Sequence, residues 1–245
     1  MADMKGESLA TASSLADLFL YGWNATDDLK VPASLLGNAT VASRTALKAV
    51  DTTVQTAAIL TEAGRDGVFL FKAGNYASLI TADTLEGVYI KADAVASSAG
   101  AWVRVYAERA NVKWFGAVGD GTTDDAAAIQ CAINVAKQVF FPQATYAIGT
   151  LLTAGNGTSS AVSTQNGVEL IGSTAGTTSV ETSPVILPTA LKWIGAASGI
   201  MLRVDGPMVG MTIRGIVFDC NSLAATGIYT RHMMLSTWQD VVVRK

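Results

Sequence analysis

The chain has 245 residues, half of them hydrophobic, and only 15% are charged, with a formal net charge of −3. A chain of this length can bury a sizeable core in two or three modules. Its lysines and arginines occur singly, which excludes the basic patch of a nucleic-acid or anionic-membrane surface. The single histidine, His232, argues against a multi-histidine zinc site and against a histidine-based triad.

The N-terminus carries no recognisable secretion signal, because no long apolar core follows a basic start. No run of about 18 apolar residues would form a transmembrane helix. Cys131 and Cys220 are too few for a disulfide framework and lack metal-ligand spacing, so we expect two free, packed thiols. The sequence predicts a soluble chain made in the cytoplasm, with no metal site, no cofactor and no membrane insertion.

Residues 1–40 contain a small aromatic segment, DLFLYGW. Phe19, Tyr21 and Trp23 alternate with small or aliphatic residues, which is typical of a strand with one bulky aromatic face. Pro32 ends or edges the next element. A segment this short cannot bury that face alone, so we expect it to pack on this chain, on another copy or on a foreign protein.

Residues 41–110 have the pattern of a small β-rich module that begins with a short helix capped by Ser43. TAAILT and VFLFK form a predicted hairpin around the turn at residues 64–67, and LEGVYIK and AWVRVY are predicted strands. A rival interpretation extends the first helix as a coiled-coil seam. Its apolar positions would be Leu47, Val50, Val54 and Ala57.

The segment VKWFGAVGDGTTDDAAAIQCAI turns from a glycine-rich stretch into a predicted helix. Thr122 or Thr123 can cap the helix, and Asp124 and Asp125 place negative charge at the positive end of its dipole. An apolar stripe then recurs at helical spacing. Its residues are Ala126, Ile129, Ile133 and Ala136. The paired aspartates leave a calcium site or a catalytic dyad open, whereas the glycine spacing fits no phosphate-binding loop.

Beyond Pro142 the chain shows many short apolar runs separated by turn clusters, which is typical of short strands. Residues 212–218 align with residues 237–243 at a spacing of 25 residues. In a parallel β-solenoid this period would stack Ile216 on Val241 and Phe218 on Val243. A β-sandwich with regularly spaced turns remains an alternative.

VKWFGAVGDGTTDDAAAIQCAI followed by VFFPQATYAI resembles the entry segment of pectate-lyase-like parallel β-helix proteins, above all phage tailspikes. The resemblance implies a mainly β fold: an attachment peptide over 1–40, a small connector module over 41–110, and over 111–245 a capping helix and the first coils of a right-handed parallel β-helix. We expect that β-helix to continue beyond Lys245. One departure is Ala144, which stands where the family has the glycine of Pro-x-Gly-x-Tyr.

The resemblance also implies a function. Tailspikes are homotrimers held on the phage tail or baseplate by the N-terminus, and their β-helix binds host surface polysaccharide as a receptor and often degrades it. The chain would be a virion protein, with the attachment residues Phe19, Tyr21, Trp23 and Pro32 and the structural helix-cap residues Thr122, Thr123, Asp124, Asp125, Ile129 and Ile133. The alternative is a bacterial polysaccharide lyase or hydrolase of the same fold.

Whether the protein is an enzyme stays open at this stage, and we expect an active site to lie mostly outside this segment. Only Asp205, Asp219 and Asp240 are acids on predicted coils, and Asp219 aligns with Arg244 rather than with another acid. No ladder of acids that could serve as a hydrolytic carboxylate pair is therefore predicted. His232 is expected at the surface or in a turn.

Overall fold

The computed structural model describes residues 39–155, 167–173 and 188–245, and the backbone of two short strands before them. Those strands, β1 and β2, form an antiparallel hairpin at Phe19–Gly22 and Leu29–Pro32. The predicted strand over the aromatic segment is therefore present. Trp23 lies outside the described residues, as do the side chains of Phe19, Tyr21 and Pro32.

The connector module follows as a five-stranded sheet with two short helices. Its elements are β3 Ala39–Val41, α1 Arg44–Lys48, β4 Ala57–Leu60, β5 Gly67–Ala73, α2 Ala77–Ala82, β6 Tyr89–Ile90 and β7 Gly100–Arg104. The strand order is β3-β4-β5-β7-β6, and every pair is antiparallel except β3 with β4. One face of this sheet buries Leu60, Phe69 and Trp102 together with Leu47 of α1.

Several sequence predictions for the connector are confirmed. The Ser43 hydroxyl accepts a hydrogen bond from the Ala46 N–H at 3.2 Å, and β4 and β5 form the expected hairpin. The coiled-coil interpretation is wrong, because α1 ends at Lys48 and Val54 is 74% exposed. The Asp51 carboxylate accepts hydrogen bonds from the N–H and the hydroxyl of Thr53, which favours a turn over a continued helix.

The remaining elements wind into a coil. They are β8 Ala110–Asn111, a 3-10 helix Val112–Phe115, β9 Asp120–Asp124, α3 Ala126–Val135, β10 Gln138–Phe141, β11 Thr145–Ile148, β12 Leu152–Ala154, β13 Glu169–Gly172, β14 Ala190–Trp193, β15 Ile200–Val209, β16 Thr212–Asp219, β17 Thr226–Met234 and β18 Thr237–Arg244. Every strand pair that the structure describes within the coil is parallel. The β-sandwich alternative is therefore wrong, since its sheets would be antiparallel.

The coil has three faces. Face A contains β8, β10, β13 and the first halves of β16 and β18, and face B contains β9, β11, β14 and the second halves of those two strands. Face C contains β12, β15 and β17. Between faces A and B, β16 bends at Gly215, whose φ is +67°, and β18 bends at the aligned Asp240, whose φ is +51°.

The predicted 25-residue repeat is confirmed by the register of β16 and β18. Ile216 stacks on Val241 and Phe218 stacks on Val243. Inward side chains of all three faces fill the interior, and each fully buried large apolar side chain contributes about 1.5–3 kcal/mol. They include Val139, Phe141, Ile148, Leu191, Leu202, Val204, Ile213, Ile216 and Phe218. The two cysteines are free and buried.

Ala144, in the turn after Pro142, packs closely against the backbone of Gly119. A Cβ on Gly119 would lie 2.8 Å from the Ala144 methyl group, so the absence of a side chain at Gly119 makes room for this alanine. The Tyr146 hydroxyl donates to the Pro142 carbonyl at 3.0 Å and closes the turn. In the described part of the chain, no helix has the length and apolar character needed to cross a bilayer.

Candidate functional site

One end of the coil is covered by α3. This helix contacts the 3-10 helix, β10, β12 and α2. Ile129 and Ile133 are 0% and 1% exposed, and they pack with Ala126, Ala132 and Cys131 into the interior core. Because a coil end otherwise presents apolar side chains to water, the helix closes that end.

Two aspartates form hydrogen bonds with the backbone around the start of α3. The Asp125 carboxylate accepts hydrogen bonds from the N–H groups of Val118 at 2.6 Å and Gly119 at 2.9 Å. Asp124 Oδ1 accepts from the N–H groups of Ala126 and Gly149 at 3.0 and 2.9 Å. These bonds tie the glycine turn, the helix and the second coil together. Burial raises the pKa of Asp125, although its two amide donors act in the opposite direction.

The prediction that Thr122 or Thr123 caps α3 is wrong. Both residues lie in β9, and their N–H groups donate to Asp120 Oδ1 at 2.8 and 2.7 Å. The Thr123 hydroxyl donates to Asp120 Oδ2 at 2.8 Å. These hydrogen bonds to Asp120 favour a local non-helical conformation. The pairing of β9 with β11 then keeps the segment in a strand up to Asp124. The same donors lower the pKa of Asp120.

The calcium and catalytic interpretations of the paired aspartates gain no support from this geometry. Three of their four carboxylate oxygens already accept hydrogen bonds from backbone N–H groups, so they are not arranged as free ligands around a calcium ion. Among residues 39–155, 167–173 and 188–245, no group of three or more His, Cys, Asp or Glu side chains is placed to hold a metal ion.

A buried carboxylate lies where the connector meets the covered end. Asp83 is 1% exposed and accepts hydrogen bonds from the N–H groups of Gly87, Val88 and Tyr89 at 2.9, 2.7 and 2.8 Å. Its Oδ1 also lies 3.7 Å from the sulfur of Cys131 in α3. The sequence analysis did not find this residue, although its three N–H partners lie only four to six residues further along the chain.

A buried arginine completes that junction. Arg104 is 3% exposed and donates to the carbonyls of Arg65, Asp66 and Gly87 at 2.7, 2.8 and 2.6 Å. Its guanidinium lies 4.5 Å from the centre of the Phe69 ring and 4.6 Å from that of Trp114. Burial lowers the pKa of Arg104 to about 10, so the side chain stays charged at neutral pH.

The outer surface of face C carries a cluster of polar and aromatic side chains from neighbouring coils. We call Arg203, Asp205, Tyr229 and Arg231 the Arg203 array. Arg203 aligns with Tyr229 and lies 5.3 Å from the centre of its ring, and Asp205 aligns with Arg231. Arg231 binds the Asp205 carboxylate through two hydrogen bonds of 2.7 and 2.9 Å, which lowers the pKa of Asp205.

The other two acids that the sequence places on coils lie elsewhere, and Glu169, which the sequence analysis did not count, also lies on a coil, in β13. Asp219 pairs with Arg244 on face B at 2.8 Å, as their predicted alignment requires. Asp240 occupies the bend between faces A and B. His232 is exposed and has a φ of +56°, which agrees with the predicted surface position. The outward acids Asp205 and Asp219 thus each face an arginine of the following coil rather than another carboxylate.

Comparison with known proteins agrees with this architecture. Residues 109–201 match a family model described as rhamnogalacturonase A/epimerase, pectate lyase-like. The fold is that of a pectate-lyase-like parallel β-helix. The resemblance found in the sequence is thereby confirmed at the level of the fold. No protein of curated function matches the sequence significantly.

Solved β-helix structures match a larger part of the chain. Full-length tailspike protein 2 from an Escherichia coli O157:H7 bacteriophage has a TM-score of 0.56 and 17% identity, over 86% of this chain and 30% of its own. Tailspike protein gp49 of Acinetobacter baumannii bacteriophage Fri1, a capsular polysaccharide depolymerase, has a TM-score of 0.52 and 15% identity, over 83% and 38%.

A bacterial protein shares the same β-helix fold. Pantoea stewartii WceF, a glycan biofilm modifying enzyme with a tailspike-like parallel β-helix, has a TM-score of 0.51 and 17% identity, over 87% of this chain and 31% of its own. The chain therefore spans about a third of the length of the solved structures that it resembles.

Proposed function

We propose that this chain is part of a phage tailspike subunit, in which residues 1–40 attach to the tail, residues 41–110 connect, and the β-helix presents a surface to host polysaccharide. The subunit would act as a homotrimer in the virion tail. It would be synthesised in the host cytoplasm and would meet tail, baseplate or adaptor proteins through its N-terminus. Phe19, Tyr21, Trp23 and Pro32 are the proposed attachment residues.

The observation that carries the proposal is the extent of the structural likeness. Residues 109–245 make up little more than half of the chain, yet the two tailspikes match 86% and 83% of it. The match must therefore extend from the β-helix into the connector. A shared connector joined to a shared covered coil supports a common way of mounting the β-helix, beyond a common coil alone.

The junction between connector and coil also suits a protein that is anchored at one end. Asp83 and Arg104 form six hydrogen bonds with the backbone of the connector, three from N–H groups and three to carbonyls, and these hold the connector itself in shape. Other contacts cross to the coil: the Arg65 guanidinium donates to the Trp114 carbonyl at 2.6 Å, and the Arg104 guanidinium lies 4.6 Å from the centre of the Trp114 ring. These contacts resist relative movement of connector and coil, because breaking them would leave partly buried polar groups unpaired. A force applied at the N-terminus would thus be passed to the β-helix.

Deletion of residues 1–40 tests the attachment directly. We expect the deleted protein to be absent from purified phage particles, because the segment that contacts the tail is gone. Its mass in solution, measured by light scattering, should stay at three times the mass of one shortened subunit, as expected if the trimer still forms. Normal incorporation of the deleted protein into particles would refute the attachment role.

A bacterial polysaccharide-modifying enzyme is the second candidate function, and the likeness to WceF is the observation that favours it. The two candidates differ in where the native protein is found. A tailspike is recovered with purified phage particles, and its peptides are identified there by mass spectrometry. A bacterial enzyme would instead be recovered from cells or medium in the absence of any particle.

A further inference from the structure

Three strands of the first coil lie at the edge of a sheet in the described structure: β8 on face A, β9 on face B and β12 on face C. A sheet edge carries N–H and C=O groups that no neighbouring strand binds. On face A, β8 passes directly into the 3-10 helix Val112–Phe115. On face B, Asp120 accepts hydrogen bonds from two N–H groups of β9. The edge of β12 has a different partner, because α3 lies against it.

Gln130 of α3 pairs with this edge as another strand would. Its Oε1 accepts a hydrogen bond from the Thr153 N–H at 2.7 Å, and its Nε2 donates to the Thr153 carbonyl at 2.9 Å. Thr153 is the central residue of β12. In a parallel ladder, a residue donates and accepts on the same side of its strand. The side-chain amide of Gln130 therefore takes the place of the backbone of a further strand.

The hydrogen bonds of Gln130 fix how its amide is turned. Nε2 also donates to Asn134 Oδ1 at 2.9 Å, one turn further along α3, and Oε1 also accepts from the Thr153 hydroxyl at 3.4 Å. A primary amide has two N–H donors and one acceptor oxygen, so every polar group of this side chain has a partner. A rotated amide would set its NH2 group against the Thr153 N–H, so only one orientation fits.

These bonds add direction to the apolar contacts of α3. Ile129 and Ile133 are buried in the core of the coil, but apolar contacts do not by themselves fix the position of a helix along its axis. Hydrogen bonds have a strict geometry and are lost when the helix shifts by about 1 Å. Asp124 bonds the start of α3 to Gly149, and Gln130 bonds its middle to β12.

We propose that Gln130 is a latch: its amide ends the strand ladder of face C and holds α3 over the first coil. The inference goes beyond the tailspike function and does not depend on it, because it concerns how the covered end stays closed. Without Gln130, the N–H and C=O of Thr153 lose their partner, and α3 is held only by its apolar side and its start. The covered end then opens more often while the rest of the coil stays folded.

Replacement of Gln130 by methionine tests the latch. Methionine has nearly the same length and also favours a helix, but it cannot form the two hydrogen bonds with Thr153. In Q130M we expect the Thr153 amide hydrogen to exchange with solvent about tenfold faster, and the amide hydrogens of α3 about threefold faster, because local opening costs less. Hydrogen exchange of the full chain, followed by digestion and mass spectrometry, measures both segments.

Q138M is the matched control for this variant. Gln138 is also half-buried but lies on β10, so the same chemical change should leave exchange at Thr153 and in α3 as in the wild type. Exchange in β16, which lies between other strands of its sheet, should be the same in all three proteins. This comparison separates opening of the covered end from a general loss of stability.

Three results would overturn the inference. Unchanged exchange at Thr153 in Q130M would mean that the amide does not protect the edge of β12. Faster exchange at Thr153 with unchanged exchange in α3 would mean that the pair is a surface contact and no latch. Equally faster exchange in β16 would mean that Gln130 stabilises the whole coil rather than its covered end. None of these results bears on attachment to the tail, which is tested by the presence of the protein in particles.

Discussion

Replacement of Asp83 by alanine should lower the free energy of unfolding by about 3–5 kcal/mol. The carboxylate is buried and accepts hydrogen bonds from three backbone N–H groups. Alanine supplies no acceptor, so these donors would be left in a space that excludes most water. Chemical denaturation followed by circular dichroism measures the loss.

Asp93→Ala is the matched control for this variant. Asp93 belongs to the same connector module but is exposed, so its replacement should change the free energy of unfolding by less than about 0.5 kcal/mol. If the two variants were equally stable, the hydrogen bonds of Asp83 would not stabilise the part of the connector that lies next to α3.

Ile129→Ala should lower the free energy of unfolding by about 2–5 kcal/mol. Ile129 belongs to α3, and its side chain is fully buried against the coil. The shorter alanine side chain would therefore leave a cavity at the covered end. We also expect stronger binding of a hydrophobic dye, because a loosened α3 would expose apolar side chains of the coil. Denaturation and dye fluorescence can be measured on the same sample.

Ile59→Ala provides the same chemical change at an open position. Ile59 lies on β4 of the connector and is 38% exposed, so its truncation should cost clearly less than that of Ile129. Equal losses in the two variants, without any added dye binding for Ile129→Ala, would mean that α3 does not cover the coil.

Much of the fold could be predicted because it depends on local pattern and on period. The stripe of Ile129 and Ile133 indicated a helix with one buried side, and a spacing of 25 residues fixed the register of β16 on β18. The hairpin of β4 and β5 followed from two apolar runs around a glycine turn. In these cases the sequence of one segment contains most of the information that determines its conformation.

The errors lie where two local conformations compete. Thr122 and Thr123 are good helix-capping residues, but both lie in β9 with their N–H groups bound to Asp120, and the helix begins only at Ala126. The helix α2 was not predicted. Its first turn depends on the Asn75 side chain, which accepts a hydrogen bond from the Ala77 N–H at 3.1 Å.

The Arg203 array could not be found from the 25-residue period. Asp205 pairs with Arg231 at a spacing of 26 residues, whereas Met208 pairs with Met233 at a spacing of 25. The register shifts between these pairs, because β15 has one more residue than β17 there. A fixed period of 25 would place Asp205 beside Thr230, so the ion pair emerges only from the strand pairing itself.

Disulfide trapping tests the stacked coil most directly. In protein with Cys131 and Cys220 replaced by alanine, new cysteines at Asp219 and Arg244 should form a disulfide within one chain on mild oxidation. Paired parallel strands bring aligned Cα atoms about 4.8 Å apart, within disulfide range. Cysteines at Asp219 and Gln239, five residues out of register, should stay reduced. A cross-linked peptide from the second pair but not from the first would contradict the parallel β-helix.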